Sequence, residues 1–253
     1  MPNLIKQAGL QHKFDKSKSA ETAYWIYNDD YAPHSIDELL LYPALRKRLN
    51  RIAATKEFPN LLLYGKPGTG KTSAARILAK LNNHSQMEEF DLSGDRGLAN
   101  VKAIKDRCDR GGLFGGRRFI LDEFHDLSKQ NQKSLKKYME DNASNRFILC
   151  VNEEDQVDDT IHDRCMPLQF DYCEDDGFGS VNVMPHTGWS GMNEYLTELK
   201  KYSDLIVEKS GRVPNDNHFD MACANQKNLV SVRKFLRALE DIIRDDEWDK
   251  ANP

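Results

Sequence analysis

A chain of 253 residues with 36 Lys and Arg against 40 Asp and Glu, a formal net charge of −4, is long enough to bury a sizeable core and lacks the bulk positive charge of a protein that coats nucleic acid. Hydrophobic residues make up 39%, and runs such as Leu61 to Tyr64 fall far short of the roughly 18 apolar residues of a membrane span, so no membrane partner is expected. Five cysteines without a CxxC pair and histidines without HExxH or C2H2 spacing argue against a disulfide framework and a zinc site. Met1 to Ala20 carries lysines but no apolar h-region, so a cytoplasmic location is expected, the host cytoplasm for a viral protein and the nucleus for a eukaryotic one.

Residues 1–30 are polar and read as an N-terminal extension. From Tyr31 a helical pattern begins, with Ser35 as a possible N-cap, Glu38 three residues on, and Leu39, Leu40, Leu45 and Leu49 spaced along one face. Asn60 to Tyr64 is a short, uniformly apolar strand, followed by a glycine-bearing loop and the helical stretch Thr72 to Ala79. A helix is expected from about Ala99 to Cys108. Arg118 to Leu121 and Arg146 to Val151 repeat the uniformly apolar pattern of buried parallel strands, with a helix between them from about Lys129 to Glu140. Strand and helix thus alternate as in a doubly wound α/β sheet over residues 31–172. Residues 173–191 are rich in glycine and acid and read as a linker, and 192–253 carry an all-helical pattern for a small second domain of three or four helices.

The strongest chemical signal is Gly65-Lys66-Pro67-Gly68-Thr69-Gly70-Lys71-Thr72, followed by Ser73, which satisfies GxxxxGK[ST] between an expected strand and an expected helix. Glycines let backbone N–H groups curl around phosphate, the helix N-terminus adds its positive end, and Lys71 reaches the β and γ oxygens of ATP. The Thr72 hydroxyl is suited to ligate Mg2+. Fifty-one residues after Lys71, a strand ends in Asp122-Glu123 at the carboxyl edge of the sheet. Asp122 is the second expected metal group, and Glu123 is placed to polarise the water that attacks the γ-phosphate. Asn152 ends the next apolar strand, where an amide can orient that water. Arg164 and Arg233 are candidate sources of positive charge for the transition state.

In this order the motifs resemble the clamp-loader branch of the AAA+ ATPases, the ATPase subunits of replication factor C and of bacteriophage clamp loaders. The resemblance runs from Tyr31-Ala32-Pro33 and Ser35-Ile36-Asp37-Glu38 through the phosphate loop, Leu92 to Gly97, Asp122-Glu123, and Gln132 with Tyr138-Met139-Glu140, to Phe147 to Asn152 and Asp163-Arg164-Cys165. It implies an AAA+ P-loop NTPase sheet followed by a helical lid. Asn152 would be the sensor 1 residue, Arg164 the arginine finger of a neighbouring subunit's site, and Arg233 the sensor 2 arginine, with Tyr31 and Pro33 near the adenine. Arg96, Lys102, Lys133, Lys136 and Lys137 resemble the DNA-facing surface, whose phosphate contacts carry no base specificity.

Implied partners are a sliding clamp, primer–template DNA and other loader subunits in a ring or spiral. The chain departs from the pattern at Ala32 (usually arginine), at His125 (usually an acid) and at Asp163 (usually serine), an acid that could pair with Arg164. With twenty residues after Arg233, a C-terminal collar domain is expected to be absent. An AAA+ initiator or helicase loader would share the ATP site. A DExH helicase and a nucleotide-binding structural subunit without turnover are further readings.

Overall fold

The three uniformly apolar runs become the buried centre of a five-stranded sheet whose neighbours are all parallel. A computed structural model describes residues 32–55, 59–80, 87–94, 97–110, 116–141, 145–170, 192–224 and 231–251. The strands are β1 (Leu61–Tyr64), β2 (Met87–Asp91), β3 (Arg118–Asp122), β4 (Arg146–Val151) and β5 (Met166–Gln169), in the order β2-β3-β4-β1-β5. The edges β2 and β5 are the two that no apolar run announces. β2 (MEEFD) buries only Phe90, and β5 (MPLQ) carries Pro167, which an edge tolerates because one side of the strand needs no ladder donor.

Alternation along each strand sends side chains to two cores. Leu61, Leu63, Ile120, Ile148 and Cys150 face α1 (Pro43–Ala54) and α2 (Lys71–Lys80). Leu62, Phe119, Leu121, Phe147 and Leu149 face α3 (Gly97–Asp109), α5 (Lys136–Asp141) and α6 (Asp159–His162), with α4 (Lys129–Lys133) beside α6. On this second face Phe119 and Phe147 are paired across β3 and β4 and stack with centroids 5.1 Å apart, both fully buried. Burying each ring contributes about 2–3 kcal/mol.

Two helices differ from expectation. Ser35 begins only a 3-10 turn, Ile36–Glu38, and α1 starts at Pro43, where a proline at the first position needs no N–H partner. The helix expected from Lys129 to Glu140 breaks between α4 and α5. There the Ser134 hydroxyl donates to the Asn131 carbonyl at 2.6 Å, a local bond that competes with the helical ladder. Gln132 is fully buried: its amide donates to the Leu127 and Gln156 carbonyls and its oxygen accepts from the Asp158 amide at 2.8 Å. It therefore pins this break to the loop after β4 instead of facing solvent.

Among the described residues three helices form the lid, α7 (Met192–Lys209), α8 (Asp216–Ala224) and α9 (Val232–Ala251), around Leu199, Ile206, Phe219, Phe235 and Leu239. The expected boundary at 172 and the expected linker, 173–191, lie outside the described residues, as does the extension 1–30. The short segment before α1 packs the lid against the sheet domain. Leu40 and Tyr42 pack on the lid core, Tyr42 also touches the α1–α2 core, and its hydroxyl donates to the Gln169 carbonyl at 2.8 Å. Beside them Lys209 of α7 donates to Glu38 at 2.6 Å, and that bond holds the Glu38 carboxyl below its ordinary value of 4.5.

Because the folded-state value is depressed, the clasp stabilises the protein above pH about 4.5 and is lost as pH falls through the lowered value. Replacing Lys209→Met is expected to lower the thermal midpoint near neutral pH. The gap from wild type should shrink as pH falls through the lowered Glu38 value, and a gap that stays unchanged down to the lowest pH at which both proteins remain folded would show that Glu38 is not the partner.

Candidate functional site

The loop from Gly65 to Gly70 connects the carboxyl end of β1 to the N-terminus of α2, so its amides and the helix dipole converge where an anion would sit. Gly70 has φ 96 and Gly68 φ 84, values that side-chain-bearing residues rarely adopt. The Thr69 hydroxyl closes the turn by donating to the Lys66 carbonyl at 2.9 Å. Lys71, 8% exposed, donates from Nζ to the carbonyls of Gly65 at 2.5 Å and Lys66 at 3.1 Å. A buried ammonium held by its own loop fits a site for a polyanion that such a charge would meet.

Across from the loop, β3 ends at Asp122 and β4 at Val151. Since β4 lies between β1 and β3, all three strand ends meet on one edge. The Gly65 amide donates to the Asn152 carbonyl at 3.1 Å, tying the loop to β4. The Thr72 hydroxyl donates to Asp122 Oδ2 at 3.0 Å, tying it to β3. A hydroxyl and a carboxylate in contact beside a phosphate-type loop are a fitting donor pair for a hard cation such as Mg2+.

Glu123 follows in the left-handed region (φ 51, ψ 40), the one non-glycine described residue with positive φ. A carboxylate residue in this region implies local strain of order 1 kcal/mol, a feature that concentrates at functional sites.

One pocket is lined by Pro67, Gly68 and Gly70 to Ser73 on the loop side, by Asp122, Glu123 and Asn152 on the sheet edge, and by Arg233 from the lid. Cys150 and Val151, which sequence reasoning did not select, complete its floor. Burial, helped by the Asp122 charge, pushes the Cys150 thiol well up and keeps it neutral.

Arg233 stands at the start of α9, and its amide approaches the Gly68 carbonyl at 3.4 Å. The lid contact is close enough to explain the missing side chain at 68. A Cβ there would lie 2.4 Å from Ser231 Oγ and 3.1 Å from Arg233 Cβ. Ser231 was also not selected from sequence, although a serine just before a helix is a recognisable cap.

Other expected residues lie elsewhere. Pro33 is described and half-buried but does not line the pocket, whereas Tyr31 and Arg96 are outside the described residues. Arg164, in the turn between α6 and β5, is also away from the pocket. Its guanidinium pairs with Glu140 of α5, with Nε at 2.7 Å, and donates to the Thr160 carbonyl. The partner is Glu140 and not the exposed neighbour Asp163, which the sequence had suggested. Lys102 on α3, Lys133 on α4 and Lys137 on α5 are exposed and Lys136 is half-buried, on helices covering the same sheet face. Lys133 reaches Asp158 at 3.4 Å.

Gly68→Ala combines an unfavourable φ with a collision against the lid, so nucleotide affinity should fall, by at least about tenfold. Adding Ser231→Ala removes the nearest obstructing atom and should recover part of the loss. Fluorescent-nucleotide titration of the single and double variants measures both, and an undiminished affinity in Gly68→Ala would count against the loop as the binding element.

Residues 61–170 match the family described as ATPase family associated with various cellular activities (AAA). Replication factor C subunit 4 of Encephalitozoon cuniculi (strain GB-M1) is 31% identical over 217 residues, 83% of this chain and 68% of the relative. Replication factor C small subunit 1 of Pyrobaculum islandicum is 33% identical over 155 residues, 58% of this chain and 46% of the relative. The chain therefore spans about two thirds of the first relative's length and about half of the second's. Among solved structures, the Thermotoga maritima RuvB Holliday junction branch migration motor aligns with a TM-score of 0.63 at 19% identity, covering 85% of this chain and 66% of that one. Domain III of the Thermotoga maritima replication initiation protein DnaA aligns with a TM-score of 0.58 at 13% identity, covering 88% and 91%. These two likenesses concern the fold, a parallel sheet wrapped by helices with a helical lid. The identity to replication factor C subunit 4, covered to two thirds of its length, concerns the family: this chain belongs to the replication factor C subunits of the AAA ATPases, the clamp-loader family that its motifs resemble.

Proposed function

We propose that this AAA ATPase subunit works in a sliding-clamp loader, hydrolysing ATP to place a processivity clamp on primer–template DNA together with other loader subunits. The observation that carries the reading is the division of the polar groups. Lys71, Thr72, Asp122, Glu123, Asn152 and Arg233 converge on one pocket, while Arg164 is held away from it. A site with a nucleophile activator but without its full positive charge is suited to completion by a neighbouring subunit.

In this reading the loop amides and Lys71 bind the phosphates of ATP. Glu123 takes a proton from the attacking water, Asn152 orients that water, and Arg233 adds charge from the lid. Arg164 leaves Glu140 and enters the adjacent subunit's site. The products are ADP and phosphate. Mg2+, held by Thr72 and Asp122, would supply charge neutralisation on the phosphate oxygens. Lys102, Lys133, Lys136 and Lys137, with Arg96, would track DNA phosphates without reading bases. No helix among the described residues is long and apolar enough to cross a membrane, and action beside replicating DNA, in the cytoplasm or nucleus, follows from the reading.

Steady-state ATPase rates with primer–template, single-stranded or duplex DNA, each with and without a sliding clamp, test the proposal. Strong stimulation by primer–template plus clamp is expected. Stimulation by duplex DNA alone would favour an initiator. Lys71→Ala should abolish binding, whereas Glu123→Gln should keep binding and lose turnover by at least about a hundredfold. In mixed assemblies Arg164→Ala should silence only the sites that face the altered copy. Equal loss in an isolated subunit would refute action across the interface.

A further inference from the structure

His125 occupies the position where the resemblance expects an acid, and the structure gives it a distinct environment. It lies in the 3-10 turn Phe124–Asp126 that immediately follows Glu123, and this turn is anchored by the fully buried Phe124. Its side chain is 14% exposed. Nε2 stands 3.1 Å from Asn152 Nδ2 and 3.3 Å from Glu123 Oε2, with Asp126 Oδ1 at 3.7 Å. The imidazole thus bridges the ends of β3 and β4, between the amide expected to orient the water and the carboxylate expected to activate it. Nδ1 is buried and has no hydrogen-bond partner among the described residues.

The chemistry of Nε2 makes this bridge selective. As a lone pair it accepts from the Asn152 amide and offers nothing to Glu123. Carrying a proton it donates to Glu123, and the Asn152 N–H groups must turn elsewhere. One atom cannot do both at once. The arrangement that accepts from Asn152 places the proton of a neutral ring on Nδ1, a buried donor without a partner among the described residues, which is unfavourable. Any ligand that draws the Asn152 amide away removes the reason for that arrangement and releases Nε2 to Glu123. An acid at position 125 would instead stand as a second negative charge beside Glu123 and, when ionised, could not donate to it.

We propose that His125 is a positioning residue that passes the engagement of Asn152 to Glu123, setting the carboxylate's place when the amide is recruited to the phosphate pocket. The inference rests on Glu123 being the group that activates water.

The test compares full-length variants by steady-state hydrolysis and by nucleotide titration. His125→Ala should lower kcat by about tenfold or more while leaving KM and nucleotide affinity within about twofold. His125→Gln sets an amide nitrogen near the place of Nε2 and should restore most of kcat, whereas the shorter His125→Asn should behave like the alanine variant. In a double-mutant cycle, His125→Ala combined with Asn152→Ala should be no slower than the worse single variant.

The proposal is overturned if the alanine and asparagine variants keep wild-type kcat, if nucleotide affinity falls in step with kcat, if glutamine fails to restore turnover, or if the two alanine effects multiply. Glu123→Gln separates the two levels. Its loss of turnover beside a fully active His125→Ala removes only the positioning role, and wild-type turnover in Glu123→Gln removes the base assignment and this inference with it.

Discussion

The pairing of β4 between β1 and β3 is the constraint on which the site depends. Leu62 lies opposite Leu149 and Phe119 opposite Phe147, so the three strands run parallel and end on one edge. Each strand end delivers a different group to that edge: the phosphate-type loop, the Asp122-Glu123 pair and Asn152. Two hydrogen bonds, Gly65 to Asn152 and Thr72 to Asp122, then fix the loop against both neighbours. A one-residue slip in any pairing would exchange the two sheet faces, set smaller Leu and Ile side chains where the Phe119–Phe147 stack sits, and shift the strand ends out of line with one another. Core packing and site geometry are therefore enforced by the same register.

The lid is attached differently. It touches the sheet domain through the segment carrying Glu38, Leu40 and Tyr42 and through the approach of Ser231 and Arg233 to Gly68. The first contact is mixed apolar and ionic and lies away from the pocket. The second bears directly on the loop. The lid therefore meets the loop at a contact separate from the one that packs it on the sheet domain. This is consistent with the concentration of function in connections carried by a rigid scaffold.

The central strands, the phosphate-type loop and the lid helices were legible because their signals are local: apolar runs of buried strands, fixed glycine spacing, and 3.6-residue periodicity. β2 and β5 were not, since an edge strand is half-covered and needs no apolar run. Gln132 reads in sequence as one more polar residue on a lysine-rich helix. Only the break at Ser134 and the three backbone groups around its amide make it interior. The Arg164–Glu140 pair spans 24 residues, a separation that no local pattern marks, whereas the adjacent Asp163 invites the wrong pairing. His125 was visible as a departure from the family pattern, but its place between Glu123 and Asn152 required the fold.

On the reading proposed above, Arg164 lets a subunit be incomplete without being unstable. Its pair with Glu140 is partly exposed on both sides, with side-chain exposures of 24% and 43%, and such a pair contributes about 0–1 kcal/mol. An arginine delivered to a phosphoryl-transfer site is worth about 10³–10⁵ in rate, several kcal/mol of transition-state stabilisation. On that reading, leaving Glu140 costs about 0–1 kcal/mol, little beside the transition-state stabilisation that Arg164 would supply to a neighbour's site. Without a neighbour, the contact with Glu140 keeps the guanidinium docked on its own subunit. Glu140 lies on α5, one turn beyond Lys136 and Lys137, so one helix carries both those lysines and the partner of Arg164. The surface expected to meet phosphate and the residue expected to complete the next site are thus joined through a single side chain.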